Sequence, residues 1–236
     1  MVKKIIPLFK MNIKIFGHIL KKEKDYLKKS GFKIVKDNPD FIFVFGGDGS
    51  LMKSEQKYPK IPKVMIKKSK ICKKCSNLSF KQIISKIKNK KFEIKEFYKL
   101  QAESKNKKIS GINDIVIHNR DPRHAIRYSV EIKNIDFYKE VIGDGIVVAT
   151  SFGATGYFRS ITDSIFYVGM GIAFNNSTES IDHMVIDENS QIKIEITRGP
   201  AECYADNNPR RILLKEGECV VIKKMESVFN IVHFYK

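Results

Sequence analysis

Phe41 to Phe45 form an unbroken apolar run, rich in aromatic residues, that leads straight into Gly46-Gly47-Asp48-Gly49-Ser50. A run of this kind suits a strand buried on both faces. The pattern before it predicts a strand over 11–16, a helix over 18–29 with Ile19, Leu20, Tyr26 and Leu27 as its apolar positions, and a short strand over 32–35. Asp37-Asn-Pro-Asp40 reads as a turn. After the glycines a helix begins at Leu51, Pro59 and Pro62 interrupt the chain, and Val64–Ile66 reads as one more core strand. Residues 79–90 place Ile83, Ile84 and Ile87 on one helical face. Strands alternating with helices predict a parallel α/β sheet.

From Phe92 onward the hydrophobic period becomes two. Strands are predicted near 92–98, 112–117, 126–132, 135–138, 146–149, 192–196, 212–214 and 218–223, with Gly, Asn and Asp between them. The expected architecture is therefore α/β plus all-β. A Rossmann-like N-terminal domain covers residues 1–92, and a β-sandwich-like C-terminal domain covers residues 93–236. The tail from about residue 224 is apolar enough to pack back on the first domain.

Composition narrows the class. The chain has 236 residues, 42% of them hydrophobic and 30% charged, as in a soluble globular protein. No apolar run reaches the length of a membrane span, and the apolar part of Met1–Pro7 is too short for a secretory signal. A cytoplasmic protein with no membrane partner is expected. The net charge of +18 points to anionic partners such as a nucleotide. The lysines are spread along the whole chain, and their densest clusters, at 67–70 and 86–91, lack interleaved aromatics and read as solvated faces. No nucleic acid partner is expected. Cys72 and Cys75 form a C-x-x-C, while Cys203 and Cys219 lie far apart. One close pair does not make a four-cysteine zinc site. Thiols in a surface loop without a catalytic role are the expected state, a redox pair or a disulfide being the alternative. No residue is assigned as a metal ligand.

Three stretches carry candidate chemistry. In the first, the glycines of Gly46–Gly49 let the backbone turn, with positive φ expected, and leave amides open to an anion. Asp48 does not suit a plain phosphate cradle, because a carboxylate repels phosphate. It is a base for a substrate hydroxyl, a ligand for a phosphate-bound metal, or simply a helix cap in a tight turn. In the second, Asn113-Asp114 offers donor and acceptor together at a strand start, suited to a ribose diol, although by itself the pair reads as a turn. In the third, Gly143-Asp144-Gly145 leads through a core strand to a loop carrying Thr150, Ser151, Thr155, Tyr157 and Ser160. That density of hydroxyls fits a polar ligand, with Tyr157 able to stack on a base or bond a phosphate.

Gly46–Ser50 resembles the Gly-Gly-Asp-Gly-Thr motif shared by NAD kinases and the diacylglycerol and sphingosine kinases, with Ser50 keeping the hydroxyl. Asn113-Asp114 followed by Asp144-Gly145 and Thr150-x-x-Gly153-x-Thr155-x-Tyr157-x-x-Ser160 makes the order and spacing similar to the NAD kinases in particular. That family has Asn-Glu at the second stretch, Thr-Pro-Thr-Gly-Ser-Thr-Ala-Tyr at the third, and a late Asp-Gly that Asp206-Asn207 resembles. Lipid kinases usually carry Asn-Glu soon after the glycine loop, where this chain has Leu51-Met52. The chain departs from the NAD kinase pattern at three places. Residues 65–75, including the C-x-x-C, replace a glycine-rich strand; Thr162-Asp163 replaces Gly-Gly; and 175–179 replaces a Pro-His segment.

The resemblance implies an NAD kinase-like fold and phosphorylation of the adenosine ribose 2′-hydroxyl of NAD, with ATP or another donor such as polyphosphate, and with Mg²⁺. Asp48 would accept or orient the hydroxyl proton, and Gly46, Gly47, Gly49 and Ser50 would hold donor phosphates. Asn113 and Asp114 would hold the dinucleotide, Thr150, Thr155, Tyr157 and Ser160 would line its pocket, and Asp144 and Asp206 would stand at its edges. A homodimer or homotetramer is implied as well. The competing readings are a catalytically weakened dinucleotide binder, a basic nucleic-acid-binding protein and a lipid kinase relative.

Overall fold

The computed structural model describes residues 10–235. They divide into two compact units: the chain up to Glu96 together with the segment from Phe229, and Phe97–Val228.

The first unit contains β1 (Met11–Gly17), α1 (Lys21–Lys29), β2 (Phe32–Ile34), β3 (Phe41–Gly46), α2 (Asp48–Lys57), β4 (Lys63–Lys67) and α3 (Phe80–Lys88). Its strands run in the order β2-β1-β3-β4, all parallel, and the end of the chain's last strand joins β4 in parallel through Ile231 and Lys63. β3 is buried from Phe41 to Phe45, as its unbroken apolar run requires. Ile83, Ile84 and Ile87 of α3 pack into the same core as Phe43, Phe45 and Val64. Ser79 caps α3 through a reciprocal pair: its hydroxyl accepts from the Gln82 amide at 3.3 Å, and the Gln82 side chain accepts from the Ser79 amide at 2.8 Å. α1 begins later than the periodicity predicts, because Leu20 is its N-cap and Glu23 reaches back to the Leu20 amide at 3.0 Å. α2 begins earlier than predicted, at Asp48, with Gly47 as N-cap. Its C-terminal end is tied to the sheet by Lys63, which is fully buried, pairs with Glu55 and donates to the Tyr58 carbonyl at 2.7 Å.

β5 (Phe92–Ser104) leads into the second unit, which continues with β6 (Lys107–Gly111), β7 (Asp114–Asn119), β8 (Ile126–Ile132), β9 (Phe137–Gly143), β10 (Gly145–Thr150), α4 (Tyr157–Thr162), β11 (Met170–Asn175), β12 (His183–Ile186), β13 (Ile192–Arg198), β14 (Ala201–Ala205), β15 (Arg211–Leu214) and β16 (Cys219–Phe234). One antiparallel sheet has the order β12-β11-β10-β7-β14-β15. The other runs β16-β13-β8-β9, with β5 pairing both β16 and β6. Alternate residues of the two sheets, among them Ile115, Ile117 and Ile146 from the first and Tyr128, Val130 and Ile194 from the second, share one apolar core, as in a sandwich. The opposite face of β7, β10 and β11 is covered by Phe158 of α4 and by Phe166. Small residues allow that close cover: a Cβ on Gly171 would lie 2.3 Å from the Phe166 ring. The expected strand at 218–223 continues through the apolar tail as one long strand, and β6, β11, β12, β14 and α4 are additional to the sequence reading.

Candidate active site

In the second unit the Asn113-Asp114 pair sits at the start of β7, and three elements converge on it. Asp206, in the left-handed region at φ 49°, turns its carboxylate back to accept the amides of Ile112 at 2.9 Å, Asn113 at 2.8 Å and Asp114 at 3.3 Å. Thr150, at the end of β10, donates its hydroxyl to the Ile112 carbonyl at 2.6 Å and accepts the Gly153 amide at 2.9 Å. Gly153 must be glycine, since a Cβ there would lie 2.1 Å from the Asn113 carbonyl oxygen. Gly156 lies over the pair, with its Cβ position 3.7 Å from Asp114 Oδ2 and 3.8 Å from Asn113 Nδ2.

These contacts fix the backbone of 112–114 and leave the Asp114 side chain without a donor of its own. Asp114 is buried, and among the described residues its carboxylate accepts no hydrogen bond. Burial, and after it the charge of Asp206, raises its pKa to about 7. A carboxyl held in this way is supplied with an acceptor's capacity and no partner, which suits a ligand that brings hydroxyl donors.

A polar chain extends from this point. Burial, followed by the charges of Asp144 and Asp114, pushes the Tyr157 phenol upward. The Tyr157 oxygen accepts from Asn175 Nδ2 at 3.3 Å, and that amide lies 3.4 Å from His118 Nε2. Asp144 accepts from Asn119 Nδ2 at 3.2 Å and from Asn176 Nδ2 at 2.6 Å. Gly145 follows at φ 154°, where a Cβ would lie 2.0 Å from the Ile117 carbonyl oxygen, so the turn into β10 admits only glycine.

In the first unit β3 ends at Gly46, and α2 starts at Asp48 behind a glycine N-cap that offers no side chain to its amides. The glycines do not occupy the positive-φ region that the sequence suggested: Gly47 has φ −125°. Close approach is what demands them. A Cβ on Gly46 would lie 2.1 Å from Ser50 Oγ, and one on Gly47 would lie 2.9 Å from the Ser69 Cβ and 3.3 Å from the Ile71 carbonyl oxygen. Asp48 is half-buried in the first turn of α2, where the helix dipole favours its charge. Its oxygens accept the amides of Lys73 at 2.9 Å and Lys74 at 3.0 Å. Those amides come from the C-x-x-C loop, in which Cys72 and Cys75 are joined by a disulfide. The expectation of free thiols is thus corrected to the alternative, a disulfide, and the loop that carries it packs on the glycine turn and holds its carboxylate.

Comparison with known proteins shows the family. Residues 112–234, just over half of the chain, match the family of the ATP-NAD kinase C-terminal domain. The chain belongs to the NAD kinase family. That family consists of phosphotransferases. An NAD kinase of Sulfurisphaera tokodaii is 27% identical over 177 residues, which cover 73% of this chain and 70% of that protein. Among solved structures, an NAD kinase from Archaeoglobus fulgidus in complex with ATP superposes with a TM-score of 0.76 at 19% identity, covering 96% of this chain and 94% of that one. Yeast NADH kinase complexed with NADH gives 0.81 at 14% identity, covering 95% and 84%. At these identities the structural likenesses show the fold.

Within this NAD kinase fold the second unit brings together Asn113, Asp114, Asp206, Thr150 and Gly156, with Tyr157 within electrostatic reach of Asp114 and Asp144. Thr150 is fully buried and its hydroxyl is spent on the backbone, so it holds the loop and does not line a pocket. Ser160 is exposed and turns its hydroxyl to the Tyr157 carbonyl at 2.7 Å. Thr155 is half-buried at the end of the same loop. His118, Asn119, Asn175 and Asn176 were not singled out in the sequence. They lie at strand ends, and only the pairing of β7, β10 and β11 brings them to Asp144 and Tyr157. Thr150→Val is expected to cost about 1–3 kcal/mol of stability, the range for leaving buried backbone partners unsatisfied. Urea unfolding of the variant beside the wild type checks this; an unchanged midpoint would contradict the role.

Proposed function

We propose that the chain phosphorylates the adenosine ribose 2′-hydroxyl of NAD, with ATP as donor, to give NADP. Family membership supports the reaction class. The observation that carries the substrate side is Asp114: a buried carboxylate that accepts no hydrogen bond among the described residues, beside the Asn113 amide. A ribose diol supplies the two donors such a carboxylate lacks, and Asn113 can donate to a ring or sugar oxygen. Tyr157 and Asp144 border the dinucleotide. Gly46, Gly47, Gly49 and Ser50 receive donor phosphates at the start of α2. Asp48 accepts the hydroxyl proton or orients the hydroxyl.

Mg²⁺ neutralises phosphate charge in reactions of this class. Among the described residues no group of three or more His, Cys, Asp or Glu stands ready to hold a metal. The ion would come with the donor phosphates, whose charge it would neutralise. The reading also includes a homodimer or homotetramer as the working form and the cytoplasm as its place.

The test is NADP formation, read with an NADP-specific dehydrogenase, from NAD and Mg²⁺ with ATP or polyphosphate. NADP with either donor supports the kinase reading and identifies the donor; NADH in place of NAD tests the acceptor. Calorimetric binding of NAD with no NADP from either donor would replace it by a dinucleotide binder.

A further inference from the structure

The disulfide between Cys72 and Cys75 closes a ring of four residues, and the two amides inside it, those of Lys73 and Lys74, are the two that hold Asp48. Cys72 Sγ lies 3.2 Å from Asp48 Oδ1; with the bridge closed this sulfur carries no proton, so it packs against the carboxylate without donating to it. The segment just before the ring also packs on the glycine turn, through Ser69 and Ile71 against Gly47. Both cysteines are partly exposed, and Lys73 and Lys74 stand between them in the chain. Nearby cations favour thiolate, which speeds exchange. A ring this small constrains the unfolded chain little, so stability gives it no sufficient reason.

We propose that Cys72–Cys75 is a reversible redox site that gates Asp48. Closed, the ring presents two amides, one to each oxygen of the carboxylate; they fix its orientation and stabilise its charged form, which makes it a poorer acceptor of a substrate proton. A dithiol reductant opens it. One reductant thiolate attacks a sulfur of the bridge, and the other cysteine leaves as a thiolate and takes a proton. The second reductant thiol then displaces the mixed disulfide. Two electrons and two protons pass to the protein, which holds two thiols, and the reductant becomes its cyclic disulfide. The four-residue loop relaxes, and the carboxylate is released. The effect on turnover rests on the kinase reading above; the release of Asp48 does not.

The experiment compares protein oxidised with trans-4,5-dihydroxy-1,2-dithiane and protein reduced with dithiothreitol, the thiols being counted by alkylation and mass. Two readouts are taken: hydrogen exchange of the Lys73 and Lys74 amides, and NADP formation from NAD and ATP. Reduction should raise both by about tenfold or more, a modest part of what a general base supplies. The Cys72→Ser/Cys75→Ser variant should match reduced wild type in both readouts and ignore the oxidant. Asp48→Ala in the oxidised protein should loosen the same amides. Unchanged exchange on reduction, or protection that survives Asp48→Ala, overturns the inference. Equal NADP rates in the two states overturn it while leaving the kinase reading intact. If no NADP forms in either state, the kinase reading fails, and the exchange data alone decide whether the ring holds and releases Asp48.

Discussion

Asp48→Asn is expected to lower kcat by about 10²–10⁴-fold, the usual share of a general base, while the dissociation constant for NAD hardly moves. The side chain keeps its size at the first position of α2, and Gly47 remains the cap, so the helix forms as before. One of its oxygens becomes an NH₂ group. That group cannot accept, so in the oxidised protein one of the Lys73 and Lys74 amides loses its partner, at a cost of about 1 kcal/mol; in the reduced protein this cost falls away. What disappears is the negative charge and the proton acceptor. The comparison is made on reduced protein, with kcat, the NAD dissociation constant and a Mg²⁺ titration measured side by side. If Asp48 were a metal ligand, the Mg²⁺ dependence would shift and excess Mg²⁺ would partly restore the rate. Full activity would return Asp48 to an anchor for the 72–75 loop.

The second large effect concerns Asp114. Its pKa in the folded chain is raised to about 7 by burial and then by Asp206, above the value of about 3.9 for an unfolded aspartate. Between those values the folded state binds the proton more tightly. Stability is therefore lost as pH rises from about 4 to about 7, and it stays lost above. The full loss is on the order of 4 kcal/mol. Asp114→Asn cannot ionise and escapes it. The variant should be more stable than wild type at pH 8, and the gap should shrink toward pH 5, as urea unfolding at the two pH values would show. The same change should weaken NAD binding, because an amide offers one acceptor where the carboxylate offers two. For the wild type, NAD affinity should rise with pH through about 7 as the carboxylate ionises. A variant with the wild-type pH profile of stability would show that Asp114 does not titrate in this way.

The trade between stability and binding at Asp114 shows what could be read from the chain and what could not. The first unit was legible because its signals are local. Phe41–Phe45, short, aromatic-rich and closed by glycines, reads as a doubly buried strand, and Ile83, Ile84 and Ile87 define a helical face by spacing alone. The Asn-Asp pair and the Asp144–Ser160 stretch were visible through residue type. Their division of labour was not. Thr150 and Asp206 look like ligand groups in the sequence, yet their oxygens are committed to the backbone of 112–114. That follows from the pairing of β7 with β10 and β14, contacts separated by tens of residues. α4 escaped because its six residues are too few to set a period. β11 and β14 mix Gly, Ala and Cys with larger residues, and so lack both alternation and a strong apolar run. The 72–75 loop escaped for another reason. Nothing in Cys-Lys-Lys-Cys refers to Asp48, and only the parallel pairing of β3 with β4 brings the two loops together.

The most direct test of the account is transfer of label from [γ-³²P]ATP to NAD by the reduced protein, with the position of the phosphate on the product assigned by ³¹P and ¹H NMR. The account predicts label on the dinucleotide, esterified at the 2′-oxygen of the adenosine ribose, with Asp48→Asn transferring at least about a hundredfold more slowly. Label found only in inorganic phosphate, or on the dinucleotide at any other oxygen, would contradict it.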